Sequence, residues 1–226
     1  MIHRVLVINP NSSVEVTAAL DDALVPLRAS GGPDIICLTL REGPPGIETQ
    51  AQVDAASAHV LSVIADEPAG AYVIACFSDP GLYAAREHTH VPVFGIAESA
   101  LATSMVLGAR VGIVAVRERS IPRHLRYVDA LGLRGRLAGD RALEIGVTDL
   151  ADQARTAARL LEVGRLLRDH DGADVLILGC AGMARYRHRV EEALGVPVID
   201  PTQAAVAHAL AAIALGWRRQ PLHKES

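Results

Sequence analysis

Gly172-Ala173-Asp174-Val175-Leu176-Ile177-Leu178-Gly179-Cys180 opens on glycine, runs through an unbroken apolar stretch and ends on a cysteine. Gly70-Ala71-Tyr72-Val73-Ile74-Ala75-Cys76 does the same earlier in the chain. A short apolar run bounded by glycine reads as a strand buried on both faces, as in a parallel sheet. The likeness extends outward. Arg4-Val5-Leu6-Val7-Ile8 echoes Arg110-Val111-Gly112-Ile113-Val114, and Val91-Pro92-Val93-Phe94-Gly95 echoes Val196-Pro197-Val198-Ile199-Asp200. The offsets are 106 residues from Arg4 to Arg110, 104 between the cysteines and 105 from Val91 to Val196. Parallel α/β chains can repeat such patterns by chance. A cysteine at the same point of each half argues instead for one motif used twice.

The rest of the chain fits two α/β halves. Strands are expected over 4–8, 34–40, 71–75 and 93–96, then over 111–116, 142–145, 175–178 and 197–199, four in each half. Helices are expected over 49–65, 150–167 and 203–215, where apolar residues recur at helical spacing. Such alternation implies βαβ units and open, mostly parallel sheets. The halves are expected to divide as 1–97 plus 204–226 and 98–203, and the polar tail after Gly216 is expected to fray.

Composition narrows the function classes. The 226 residues are 50% hydrophobic but only 3% aromatic, and the net charge is −4. Few aromatics and no long basic run argue against a nucleic-acid partner. No apolar run approaches the ~20 residues of a membrane span, and no signal-peptide layout is evident. The expectation is a cytoplasmic protein with a small-molecule partner, without nucleic acid or membrane, assembling as a homo-oligomer. Three cysteines at wide spacing are no disulfide framework and hold no zinc pattern. No metal or cofactor is expected, and the histidines, His88, His90 and His124 among them, read as solvated or structural.

Cys76 and Cys180 each follow a strand, where open α/β sheets bind ligands. Two halves facing each other would aim both thiols at one cleft. A carbon held between them needs each sulfur within roughly 3–3.5 Å, hence sulfurs roughly 6–8 Å apart. One thiolate then removes a proton from one face, and the opposite thiol supplies a proton to the other. A stereocentre is inverted. Since the free thiol titrates near 8.5, helix N-termini are expected to favour the thiolate. Asp79-Pro80 reads as the cap and first residue of such a helix. The amides beside Gly179 and Gly182, with the Ser78 hydroxyl, could hold a developing enolate oxygen. Asn9-Pro10-Asn11-Ser12-Ser13 follows the first strand and reads equally as a turn or a binding loop. Gly43-Pro44-Pro45-Gly46-Ile47-Glu48 could wall the pocket through Ile47 or merely connect. Cys37 lies inside a strand without a repeat partner and reads as core.

These residues resemble the aspartate/glutamate racemase superfamily, its hydantoin and allantoin racemase branch most closely. The likeness is carried by Ile8-Asn9-Pro10-Asn11-Ser12-Ser13, Gly43-Pro44 with Ile47-Glu48, Ala75-Cys76-Phe77-Ser78-Asp79-Pro80-Gly81-Leu82, Arg119-Ser120-Ile121-Pro122 and Gly179-Cys180-Ala181-Gly182-Met183. The resemblance implies two Rossmann-like lobes related by pseudo-two-fold symmetry, with the active site in the cleft between them. It implies cofactor-independent racemisation by Cys76 and Cys180. Substrate would be held by Asn9, Pro10, Asn11, Ile47, Phe77, Ser78, Ser120, Ala181 and Gly182. Amino-acid racemases of the superfamily carry Asn-Thr and Thr-Glu after their cysteines. Phe77-Ser78 and Ala181-Gly182 suit a neutral ring instead, such as a 5-substituted hydantoin or allantoin. The branch usually has glycine where Ser78 stands and commonly Thr-Thr where Ala115-Val116 stand. Two alternatives remain: an arylmalonate-decarboxylase-like or maleate-isomerase-like enzyme, and a two-lobed binding protein without catalysis.

Overall fold

A computed structural model describes residues 2–218. The tail expected to fray therefore lies mostly outside the described residues. The first half runs β1 (Arg4–Asn9), α1 (Val14–Ala23), β2 (Asp34–Thr39), α2 (Gln50–Asp66), β3 (Ala71–Ile74), α3 (Leu82–His88), β4 (Val93–Gly95) and α4 (Ile96–Leu107). The second runs β5 (Val111–Ala115), α5 (Ile121–Ala130), β6 (Leu137–Ala142), α6 (Gln153–Arg165), β7 (Val175–Leu178), α7 (Arg187–Leu194), β8 (Val198–Ile199) and α8 (Pro201–Leu215). The strands form two parallel sheets of four, ordered β2-β1-β3-β4 and β6-β5-β7-β8. Register repeats with the order: Val5 pairs with Ala71, and Val111 with Val175.

Alternation along each strand explains the layers. Val5, Val7 and Val73 face α1 and α8, whereas Leu6, Ile8 and Ile74 face α2 and α3. In the second sheet Leu176 and Leu178 face α6 and α7, whereas Val111, Ile113 and Ile177 face α4 and α5. The helices that end each half are exchanged. α4 leaves the first sheet to pack on β7 and β8, and α8 returns to pack on β1, β3 and β4. These two helices also pack on each other. Ala204, Ala205, Ala209 and Ala212 of α8 are buried. Small residues allow such close approach, which accounts for a core rich in alanine and poor in aromatics.

Two local expectations are corrected. The strand expected over 142–145 is β6, Leu137–Ala142. It is an edge strand, half-buried throughout, and carries no apolar run. The apolar Leu143 and Ile145 lie just past it, with their amides bonded to Ala115 O at 2.9 Å and Val116 O at 3.3 Å. Asp79 does not cap the helix that follows it, since α3 begins at Leu82 after Gly81. Asp79 takes up a left-handed φ of 43° and caps α4 instead. Its carboxylate accepts from the amides of Ala97 and Glu98, both at 3.0 Å, and from the Tyr127 hydroxyl at 2.8 Å.

That cap completes the repeat. Asp200 caps α8 in the second half, accepting from the Gln203 amide at 2.7 Å. The matching residue of the first half is Gly95, and a Cβ there would lie 2.2 Å from the Asp79 carboxyl. The two lobes thus place a carboxylate at the same helix end from different points in the chain. Burial pushes both carboxyls up to about 6. Asp79→Asn turns an amide N–H toward donors that need an acceptor. It is expected to lower stability by about 1–3 kcal/mol, read from urea unfolding.

Candidate active site

β1, β3, β5 and β7 end along the same edge of their sheets. The amides of Ala75 and Gly179 bond back to Ile8 O at 2.8 Å and Val114 O at 2.9 Å, extending each inner pair by one step. The next residues are Cys76 and Cys180, and both line one cavity of about 30 Å³. Asn11, Ile47, Phe77, Ser78, Ser120 and Ala181 also line it. Asn9 and Pro10 do not. The Asn9 amide is spent on the loop, donating to Asn11 Oδ1 and Ser13 O at 3.1 Å and to Thr17 Oγ1 at 3.0 Å. Pro10 is buried beneath the turn at Gly43. Gly182 borders a neighbouring groove of about 310 Å³, and a Cβ on it would lie 3.7 Å from Cys180 Sγ. Cys37 is partly buried against the core, away from this cavity.

Loops from both lobes close around the cavity. The Ser12 amide bonds Pro44 O at 2.9 Å, joining the two loops of the first lobe. Glu48 then reaches the second lobe, accepting from the Val147 amide at 3.0 Å and pairing with Arg119. Burial raises the Glu48 pKa, but these partners outweigh it and leave the carboxyl below its ordinary value.

Four lining residues escaped the sequence reading: Val16, Arg123, His124 and Val147. His124, read as a surface residue, is 5% exposed. Its Nδ1 lies 2.8 Å from Asp140 Oδ2, and its ring meets Phe77 edge-on at 5.2 Å. Arg123 is half-buried, and its Nε donates to Ser78 Oγ at 2.9 Å. Val147 lines the cavity close to Gly46 and Glu48, the neighbours of Ile47. Only the four-residue spacing of His124 from Ser120, the residue that precedes α5, could have signalled that this helix turns inward.

The thiols do not sit directly on long helices, contrary to expectation. Cys76 precedes a turn, and Cys180 caps a short 3-10 segment, Ala181–Tyr186. Burial pushes Cys76 up to about 11 and Cys180 up to about 12. Donors oppose it locally: the Ser78 amide and hydroxyl with the Arg123 charge at Cys76, and the Gly182 amide at Cys180. Among the described residues no group of three metal-ligating side chains occurs.

Residues 5–209 match the profile described as Asp/Glu/Hydantoin racemase. The chain belongs to this family. It is 37% identical over 221 residues to a hydantoin racemase of Paenarthrobacter aurescens, covering 95% of this chain and 93% of that protein. An allantoin racemase structure from Klebsiella pneumoniae superposes with TM-score 0.90 and 32% identity, covering 99% and 94% of the two chains. Another from Pseudomonas fluorescens gives TM-score 0.92 and 28% identity, with coverage of 97% and 94%. The racemase family gives the chain its enzyme class, an isomerase, and its two-lobed α/β fold.

Proposed function

We propose that this racemase inverts the C5 stereocentre of a hydantoin-type ring, a 5-substituted hydantoin or allantoin, by proton transfer between two cysteines. The observation that carries the reading is the shared cavity: Cys76 and Cys180, each two residues past the equivalent strand, border the same space. A decarboxylase that protonates through a single thiol would leave Cys76 without work.

The chemistry needs no cofactor. The ring carbon between a carbonyl and a nitrogen is acidic because its anion delocalises into the carbonyl. The thiolate of Cys76 takes the C5 proton from one face, and the electron pair moves onto the carbonyl oxygen. We assign that oxygen to the backbone amides that follow Cys180. The electron pair returns to C5 as Cys180 releases its thiol proton to the opposite face. Cys76 ends as thiol and Cys180 as thiolate, so the enzyme is ready for the other enantiomer. Mirror symmetry fixes the equilibrium constant at unity, which suits a near-symmetric pair of like groups.

The walls support a neutral ring. Ile47, Val16, Val116 and Val147 are apolar, and the polar groups besides the thiols are Asn11, Ser78, Ser120, Arg123 and His124. In this reading the ring lies between the two lobes, against the residues that line the shared cavity. We take these lobes as 1–97 with 204–226 and 98–203, a division supported by the packing of α8 on the first sheet. The cysteines of the described residues are free thiols, which suits a reducing cytoplasm. Polarimetry with single enantiomers of 5-substituted hydantoins, allantoin, aspartate and glutamate tests the reading. Rotation is expected to decay to zero for a hydantoin or allantoin and to hold for the amino acids. The opposite ranking would overturn the substrate class.

A further inference from the structure

Cys76 and Cys180 occupy matching places in unmatched surroundings. Ser78, two residues after Cys76, lines the same cavity, and its amide and hydroxyl oppose the effect of burial on the Cys76 thiol. The Arg123 Nε–H donates to Ser78 Oγ at 2.9 Å. A hydroxyl that accepts from a guanidinium keeps its own proton free to donate. The Ser78 proton is thereby directed at Cys76 Sγ, with a permanent positive charge behind it. The link crosses the cleft, because Ser78 belongs to the β3 side and Arg123 to α5.

Arg123 differs from its neighbours on that helix. Arg119 pairs with Glu48, and exposed Arg126 bonds Gln50 Oε1 at 3.0 Å. Arg123 is half-buried and makes no ion pair with a carboxylate among the described residues. A cation held out of water is costly without an anion beside it. A Cys76 thiolate is that anion. The other charge facing Cys76 is Asp79, already engaged by two amides and the Tyr127 hydroxyl.

Cys180 has no such support. The Gly182 amide is the donor that faces it, and the charged groups around it are Cys76, Glu48 and Asp200, all of negative sign. Neither Ala181 nor Gly182 brings a hydroxyl.

We infer that Arg123, acting through Ser78, makes Cys76 the easier thiol to ionise and leaves Cys180 as the acid in the free enzyme. Arg123 is a positioning residue in this scheme. The inference rests on the two-thiol reading and adds a resting direction to it. The ratio of kcat/KM for the two enantiomers stays at one, because the equilibrium constant is one. The enantiomer whose C5 proton faces Cys76 is the one the free enzyme is poised to bind, so it has the lower KM and the lower kcat.

The test uses the free enzyme. Wild type, Arg123→Gln, Arg123→Lys and Ser78→Ala are treated with iodoacetamide across a pH series, and labelling of each cysteine is followed by peptide mass spectrometry. Cys76 is expected to label faster than Cys180 in the wild type. Arg123→Gln is expected to slow Cys76 about tenfold at a fixed pH below its midpoint, as loss of a neighbouring opposite charge requires. Cys180 and the remote Cys37 keep their rates. Arg123→Lys restores part of the Cys76 rate, and Ser78→Ala falls between wild type and Arg123→Gln. An unchanged Cys76 rate in Arg123→Gln, or an equal fall at Cys76, Cys180 and Cys37, overturns the inference. Labelling needs no turnover, so a wrong substrate class would appear in polarimetry alone.

Discussion

Cys76→Ser and Cys180→Ser are each expected to lower racemisation by about 10²–10⁴-fold, the usual share of a general acid or base. Serine keeps the shape, but its hydroxyl is a far weaker acid than a thiol. The two variants should fail in complementary ways. In Cys180→Ser the Cys76 thiolate still removes the proton on its own side. No adequate acid stands opposite, so the proton returns to the face it left. One enantiomer then exchanges its C5 hydrogen with solvent while its rotation holds. Cys76→Ser shows the same behaviour with the other enantiomer. Polarimetry and proton NMR in deuterated water read the two effects separately. Racemisation at the parent rate in either variant would remove that cysteine from the reaction.

The second large effect is on pH. Burial holds Cys76 at about 11 and Cys180 at about 12 in the free enzyme. With a thiolate as the proposed base, the reactive form grows as pH rises, about tenfold per pH unit below the lower of these values. On this footing kcat/KM climbs about 100-fold from pH 7 to pH 9, with no plateau between them. Both enantiomers share the profile, because their kcat/KM values are equal at every pH. A plateau beginning at or below pH 7 would show that the thiols ionise far more readily than burial dictates.

The architecture was legible because inner parallel strands must be apolar. Val175–Leu178 and Ala71–Ile74 are buried at every residue, and the chain announces them. The edge strand β6 was not, since Leu137, Gly139, Asp140 and Arg141 carry no run that marks a strand. The cysteine pair was legible from the repeat itself. The partners of those cysteines were not. The Asp79 bonds to Ala97 and Tyr127 span 18 and 48 residues, and the Arg123 bond to Ser78 spans 45. Periodicity reports which face of an element is buried, and it carries no record of which distant polar group completes a bond. His124 illustrates the limit. Arginines on either side gave α5 the look of a solvated face, yet Asp140 and Phe77 draw the imidazole inward.

Deuterium uptake tests the central claim most directly. A single hydantoin enantiomer is incubated in deuterated water, stopped before a tenth has reacted, and resolved on a chiral column. Two opposed thiols require the newly formed enantiomer to carry deuterium at C5 and the recovered starting enantiomer to carry almost none. Deuterium appearing equally in both enantiomers would point to one base serving both faces and would contradict the two-cysteine account.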